Sequence, residues 1–334
     1  MSTMFAQAAE TTYSPTQRFL EAYHQENRSM SNPEQMVFTG VEGDVYNPSA
    51  PFDYQGESYI MARYEKRENE FSTKSGFFQK QVTDGVTSWQ YGPDVSNLGL
   101  LTEGKITQDP SITFIDGKPV ITVVDVKLND PRNPKLGCTY KSDFYTGDDL
   151  ASLYLFAVGP PRMKGIRPLQ LADGRVGVFT RPQSDRPETG GAGKIGFTIF
   201  NTPQDIMMQA LAEAPLIPDL FSNDEWGGVN YPQLLPNGPV GVLGHIASFD
   251  RHNPVPDYRR YAPLYFEFDP HSREVMNPKL LGTRHGLPPE YPSKREDLYE
   301  VLYPSFYSLV GGKMLVGVGV SDTIVATYET ENPL

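Results

Sequence analysis

The chain has 334 residues, 38% hydrophobic and 21% charged, which is enough for a packed core and too apolar for a disordered chain. Its 30 glycines, 30 prolines, 19 tyrosines and 18 phenylalanines suit a turn-rich β protein better than a helical bundle. A net charge of −12, with no run of basic residues, argues against nucleic acid and against an anionic membrane as partners.

The opening stretch, MSTMFAQAAETTYSPTQRF, has no basic segment leading into an apolar one, so no signal peptide is expected. No apolar run reaches the ~18 residues of a membrane span. Cys138 is the single cysteine, which fits a reducing compartment, and a cytoplasmic location is expected. Residues 14–30, SPTQRFLEAYHQENRSM, read as a helix capped by Ser14 with Pro15 at its first position. This helix falls within an N-terminal extension drawn over 1–44.

From residue 45 to 330 one frame recurs five times. The segments are NPSAPFDYQGESYIMARYE (47–65), QDPSITFIDGKPVITVVDV (108–126), IRPLQLADGRVGVFTRP (166–182), NYPQLLPNGPVGVLGHIAS (230–248) and LYPSFYSLVGGKMLVGVGVSD (302–322). Each carries a proline near its start (Pro48, Pro110, Pro168, Pro232, Pro304), a short strand, a tight turn and a second strand. Proline fits the first residue of a strand, where no ladder N–H is lost. Further strands follow in FFQKQV, TYKSDFYT, KIGFTIFN, APLYFEFDP and TIVATYE. Five small sheets that cannot bury their own faces pack radially, so the pattern predicts a single five-bladed β-propeller over 45–330. A pair of packed β-sheets is the structural rival. A second short helix is expected over 203–215, and 283–296 reads as a polar insertion.

In a propeller the frame positions of all blades converge at one end of a central channel. Blade one brings Asn47 and Arg63 there; blade two brings Asp109; blade three brings Lys164, Arg167 and Arg181. Blade four brings His245, with Trp226 just before it to stack on a sugar ring, and blade five brings Tyr303 and Asp322. Taken singly, the cations read as solvated surface charges and His245 as a core histidine. Taken together they gather one carboxylate opposite several cations. The histidines show no metal-ligand spacing, and no metal is expected.

Glycoside hydrolysis ordinarily uses two carboxylates. Here cations stand where a second one would be. An anionic nucleophile such as phosphate needs no general base, and Lys and Arg would hold it while Asp109 protonates the leaving oxygen. Burial would raise the Asp109 pKa and nearby cations would lower it; the residues alone leave that balance open.

Three segments carry a family resemblance. QDPSITFIDGKPVITV, MKGIRPLQLADGRVGVFTRP and GVGVSDTIVATYE are similar to the second-blade, third-blade and closing segments of the β-mannoside phosphorylases of glycoside hydrolase family 130. They resemble most its mannosyltransferase-phosphorylase branch, once a domain of unknown function. The resemblance implies an inverting enzyme that exchanges mannosyl between β-1,2-mannose oligomers and phosphate, with mannose 1-phosphate as product and GDP-mannose as a further donor. It implies no cofactor, with phosphate as co-substrate. It makes Asp109 the general acid/base, puts Lys164, Arg167 and Arg181 on the phosphate, and sets Asp322 on mannose hydroxyls. Two positions depart from the family pattern: Ser111 follows the Asp-Pro pair where the family has Arg, and Thr180 stands where a His often precedes the third-blade Arg.

Two other readings compete. A β-mannoside hydrolase on the same fold needs a second acid, for which Glu65 and Asp125 are candidates. A non-catalytic binding scaffold would show apolar top loops instead of a polar mouth.

Overall fold

The structure, a computed structural model, describes residues 14–183 and 186–334. Five sheets, antiparallel except for one outer pairing in blade one, follow one another along the chain. Blade two runs Ile106–Ile115, Lys118–Leu128, Cys138–Thr146 and Tyr154–Val158, each strand paired to the next. Blade four has the same plan in Glu225–Leu234, Val240–Phe249, Arg259–Phe268 and Val275–Leu280. Blade three has only three strands, Arg167–Gln170, Val176–Thr180 and Gly196–Phe200. The innermost strands of blades two to five touch in order, blade two meets Glu57–Glu65 of blade one, and blade five meets Asp44–Tyr46 of blade one, which closes a five-bladed β-propeller.

The closure involves residues that the sequence pattern left outside. Blade five consists of Leu302–Val310, Lys313–Val320 and Ile324–Glu331, and its outer strand is Ser31–Gln35. Val37–Thr39 then pairs, in parallel, with Val86–Tyr91 at the outer edge of blade one. Residues 31–39 therefore belong to the sheets, and the extension drawn over 1–44 is shorter than expected. Ser31–Gln35 is mostly exposed and polar, so no hydrophobic alternation marked it.

The hydrophobic clusters lie between blades, as radial packing requires. Phe179 and Phe197 of blade three pack edge-to-face on Phe268 of blade four, in one cluster with Phe266, and Ile60 and Phe78 of blade one cluster with Phe306 of blade five. The middle strand Val240–Phe249 is buried on both faces over most of its length, because a neighbouring sheet covers each side. Each buried Phe or Ile contributes about 1.5–3 kcal/mol over its exposed state.

The first helix spans Pro15–Gln25. Ser14 accepts from the Gln17 amide and Gln17 reaches back to the Ser14 amide, a capping box. Phe19, Leu20 and Tyr23 seat the helix on the cluster of blades three and four, and Glu225 accepts from the Thr16 amide at 2.9 Å. The segment expected to be helical over 203–215 is a 3-10 turn, Pro203–Asp205, followed by the short helix Met208–Ala212.

The frame prolines sit differently from the expectation. Pro110, Pro232 and Pro304 lie inside their strands, at or beside a break in register. In blade one the strand is interrupted outright, between Asp44–Tyr46 and Phe52–Tyr54. The innermost strand is an edge strand, so a bulge there tolerates a residue without an N–H.

Candidate active site

The bulges turn the residues before the prolines toward the axis. Asn47, Asp109 and Tyr303 line a cavity of about 250 Å³ and also the smaller cavity, about 20 Å³, that adjoins it. Asn47 and Asp109 hold this position with φ of +48° and +45°, a left-handed conformation that Asn and Asp tolerate best among residues with a side chain.

Asp109 is 7% exposed and surrounded by donors. Its Oδ1 accepts from Asn47 Nδ2 at 3.2 Å and lies 3.5 Å from Arg63 Nη1; its Oδ2 lies 3.9 Å from Lys164 Nζ. Burial alone would raise its pKa. The charges of Lys164 and Arg63, the Asn47 hydrogen bond and the charge of Arg167 outweigh burial and bring it down to about 2.

Arg63 is held from behind. Glu65 Oε2 takes its Nη2 at 2.9 Å, Thr73 Oγ1 takes its Nε at 3.0 Å, and the guanidinium lies 4.8 Å from the Tyr46 ring centroid. Arg181 donates from Nε to the Gly227 carbonyl at 2.6 Å. Its path is cleared by glycine: a Cβ on Gly193 would lie 2.8 Å from Nε, and one on Gly228 2.8 Å from Cδ. Lys164 and Arg181 both line the larger cavity.

Arg167 does not line it. Its guanidinium donates to the carbonyls of Asn230 (3.0 Å) and Ile166 (3.1 Å), on the adjoining cavity. Ser111 also faces that smaller cavity and shares a 2.6 Å hydrogen bond with Thr122. Thr180 is buried against Gly196, where a Cβ would lie 2.5 Å from its hydroxyl oxygen.

His245 is buried, with Nδ1 2.7 Å from Asn230 Oδ1. An amide oxygen only accepts, so Nδ1 carries the proton and Nε2 is left as an acceptor. Burial, followed by the charges of Arg181, Lys164 and Arg167, holds the imidazole neutral, well below its usual pKa. The ring stacks on Tyr261 at 5.3 Å and 18°, and Tyr303 lies 5.3 Å away on a tilt. Burial, with Asp109 nearby, pushes the Tyr303 hydroxyl up to about 12, so it stays a donor. Asp322 lines the same cavity; burial, with the negative charges of Asp109 and Glu65, raises its pKa against the pull of Arg63 and Lys294.

Trp226 is not in the wall of either cavity. It packs on Phe249 at 4.8 Å and donates from Nε1 to the Tyr261 hydroxyl at 2.9 Å, so it buttresses Tyr261. Tyr261 and Arg259, from the third strand of blade four, complete the wall, and sequence reasoning missed both. Tyr261 pairs with Ala247, which pairs in turn with Trp226, and this register was not readable from frame positions alone. Arg63, Lys164, Arg181 and Arg259 thus face a cavity that holds two carboxylates, Asp109 and Asp322. An excess of cations in a protein of net charge −12 is a place for an anion. Among the described residues no three side chains of the metal-ligating types converge, and no helix is long and apolar enough to cross a membrane.

The fold has counterparts among solved structures. The chain is similar to MPT-4, a mannose phosphorylase from Leishmania mexicana solved with phosphate ion, with 28% identity, 95% of this chain and 93% of that one covered, and a TM-score of 0.79. It is similar to MPT-1, a GDP-Man-dependent mannosyltransferase from Leishmania mexicana, with 26% identity, 95% of each chain covered and a TM-score of 0.78. A β-1,2-mannobiose phosphorylase from Listeria innocua shares the fold at 12% identity, with 90% of this chain and 97% of that one covered and a TM-score of 0.57. Among curated protein sequences no relative matches. One family model matches residues 22–334, and the chain belongs to that family, described as protein of unknown function, DUF1861.

Proposed function

We propose that the protein is an inverting β-mannoside phosphorylase and mannosyltransferase, with phosphate and mannose 1-phosphate as its anionic reactants. The observation that carries this reading is the buried carboxylate Asp109 facing Lys164 and Arg63, in a cavity whose wall also holds Arg181 and Arg259. Its likeness to the phosphate-bound Leishmania mannose phosphorylase supports it. Lys164 and Arg181 hold phosphate. A phosphate oxygen attacks the anomeric carbon as the glycosidic C–O bond breaks, and the Asp109 proton goes to the leaving sugar oxygen. Asp322, Asn47 and Tyr303 bind mannose hydroxyls, and Arg167 supports the phosphate side through Asn230.

The resting pKa of Asp109 bears on direction. At about 2 it is ionised at neutral pH, ready to accept a proton from an acceptor hydroxyl in synthesis. A phosphate dianion beside Lys164 and Arg181 offsets the charges that depress it, and its proton affinity rises when phosphorolysis needs an acid.

The finer reading takes β-1,2-linked mannose oligomers as substrate and GDP-mannose as a second donor, in line with the likeness to MPT-1, and a cytoplasmic location. Incubation with β-1,2-mannobiose and phosphate should release mannose 1-phosphate, and GDP-mannose with mannose should lengthen the acceptor. Neither product forming would sink the proposal. The same assay separates hydrolysis, marked by mannose release without phosphate. Glu65, proposed for that role, is bound to Tyr46, Arg63 and Lys294, and Asp125 lies outside both cavities, which leaves Asp322 as the further carboxylate in the wall. A non-catalytic scaffold would bind sugar and turn over none of these substrates.

A further inference from the structure

Residues 281–301, between blades four and five, pass over the cavity. Leu298 and Val301 form part of its wall. Arg284, 1% exposed, ties the segment's own turn together by donating to the carbonyls of Pro288 (3.1 Å) and Tyr291 (2.9 Å). Two side chains of this segment, Lys294 and Arg295, reach across to blade one, and Arg295 pairs there with Glu70. The Lys294 ammonium is paired with Glu65 and lies 3.4 Å from Glu70; its side chain is 4% exposed and that of Glu65 0%.

Glu65 divides its two oxygens. Oε1 takes Lys294 and the Tyr46 hydroxyl, while Oε2 takes Nε and Nη2 of Arg63. The remaining nitrogen of Arg63, Nη1, is the one that faces Asp109. Buried contacts therefore run without a gap from Lys294 through Glu65 and Arg63 to Asp109. A cation on Oε1 satisfies the carboxylate there, so Oε1 does not compete for Nη1. Without it, Oε1 loses its cation, Arg63 is left to answer the buried Glu65 charge, and Oε1 competes for Nη1.

We propose that Lys294 is a positioning residue for Asp109: it fixes Glu65, Glu65 fixes Arg63, and Nη1 of Arg63 is thereby kept at the proton donor. This deepens the mannoside reading, and its kinetic half rests on that reading. The groups that face Asp109 are Lys164, Arg63 and Arg167 as cations, Asn47 as a donor, and Tyr303, His245 and Asp322 as the other titratable neighbours in the wall. Loss of the Lys294 charge, with Arg63 drawn back, leaves both Asp109 and Asp322 holding protons more tightly.

The test uses Lys294→Met, which keeps the apolar stem, and Lys294→Arg, which keeps the charge. In substrate-free protein the Asp109 carboxyl is titrated by carbon NMR, assigned by Asp109→Asn. Lys294→Met should move that titration to higher pH and lower kcat about tenfold to a hundredfold, with KM for phosphate unchanged. Lys294→Arg should restore both. A Lys294→Met protein that melts like the wild type, with Asp109 titration and kcat unmoved, overturns the proposal. If Lys294→Met does not fold, Lys294→Gln keeps a donor to Glu65 without the charge; an unmoved Asp109 titration there overturns the proposal equally. A wild type without mannoside turnover defeats the functional reading alone, because the titration needs no substrate.

Discussion

Lys164 and Asp109 face each other across the channel, Nζ 3.9 Å from Oδ2, while Asn47 and Arg63 occupy the other carboxylate oxygen. The two charges answer each other in opposite ways. Asp109 is drawn down, and Lys164 is lowered by burial, with Arg181 and Arg63 adding to that against the pull of Asp109. The ion pair is therefore not a closed unit. It leaves an excess of positive charge that an anionic reactant completes.

Replacing Asp109 with Asn should cut mannose 1-phosphate release about 10³-fold, the range expected for loss of a general acid. Sugar and phosphate binding, followed by calorimetry, should persist. Retained turnover would remove Asp109 from the reaction.

The same carboxyl should leave a mark on stability. Its pKa drops from 3.8 to about 2 on folding, which corresponds to roughly 2 kcal/mol in favour of the folded state. A depressed folded pKa acts above the unfolded value, so this contribution is complete above about pH 4 and fades as the pH falls toward 2. Urea unfolding between pH 2 and 7 should show this component in the wild type and not in Asp109→Asn.

Gly228→Ala should raise KM for phosphate about tenfold with a smaller effect on kcat. Its Cβ would stand 2.8 Å from Cδ and 3.1 Å from Nε of Arg181, and 3.1 Å from Cε1 of His245, so the guanidinium has to shift. Initial rates over a phosphate series decide it; an unchanged KM would take Arg181 off the anion.

Gly319→Ala acts on the other side of the channel. A Cβ there would lie 2.3 Å from Asn47 Oδ1 and 3.1 Å from the Asn47 amide nitrogen. Asn47 is displaced from Asp109, the hydrogen bond that helps depress the carboxyl is lost, and the Asp109 titration should rise. Carbon NMR of the variant checks the direction.

His245 should contribute no inflection to the pH–rate profile between pH 5 and 8. Burial and three neighbouring cations lower its pKa well below the ordinary imidazole value. Nitrogen NMR of the ring, with the proton on Nδ1 and no titration down to pH 5, is the corresponding direct measurement.

The propeller was legible because its frames repeat. One proline may stand anywhere, but five with a turn and a second strand at matching offsets have few explanations, and Asn47, Asp109, Arg167 and Tyr303 followed directly as the residues before four of those prolines. What the frames do not encode is lateral reach. Arg167 shares the frame yet spends its guanidinium on the carbonyls of Asn230 and Ile166, and Trp226 spends its indole N–H on Tyr261. Arg259, Tyr261 and Lys294 come from a third strand and an insertion, whose approach to the axis depends on register and on chain returning from another blade. Ser31–Gln35 was invisible for a different reason: an outer edge strand buries little, so nothing selects an apolar pattern in it.

The pairing of Ser31–Gln35 with Ile324–Glu331 has a consequence for how the enzyme is made. Synthesis delivers the first of these strands about three hundred residues before its partner. Until then the barrel-like ring stays unlatched, and the pocket, whose walls are drawn from every blade, has no complete outline. Activity in a growing chain would therefore switch on all at once, when the two distant strands meet.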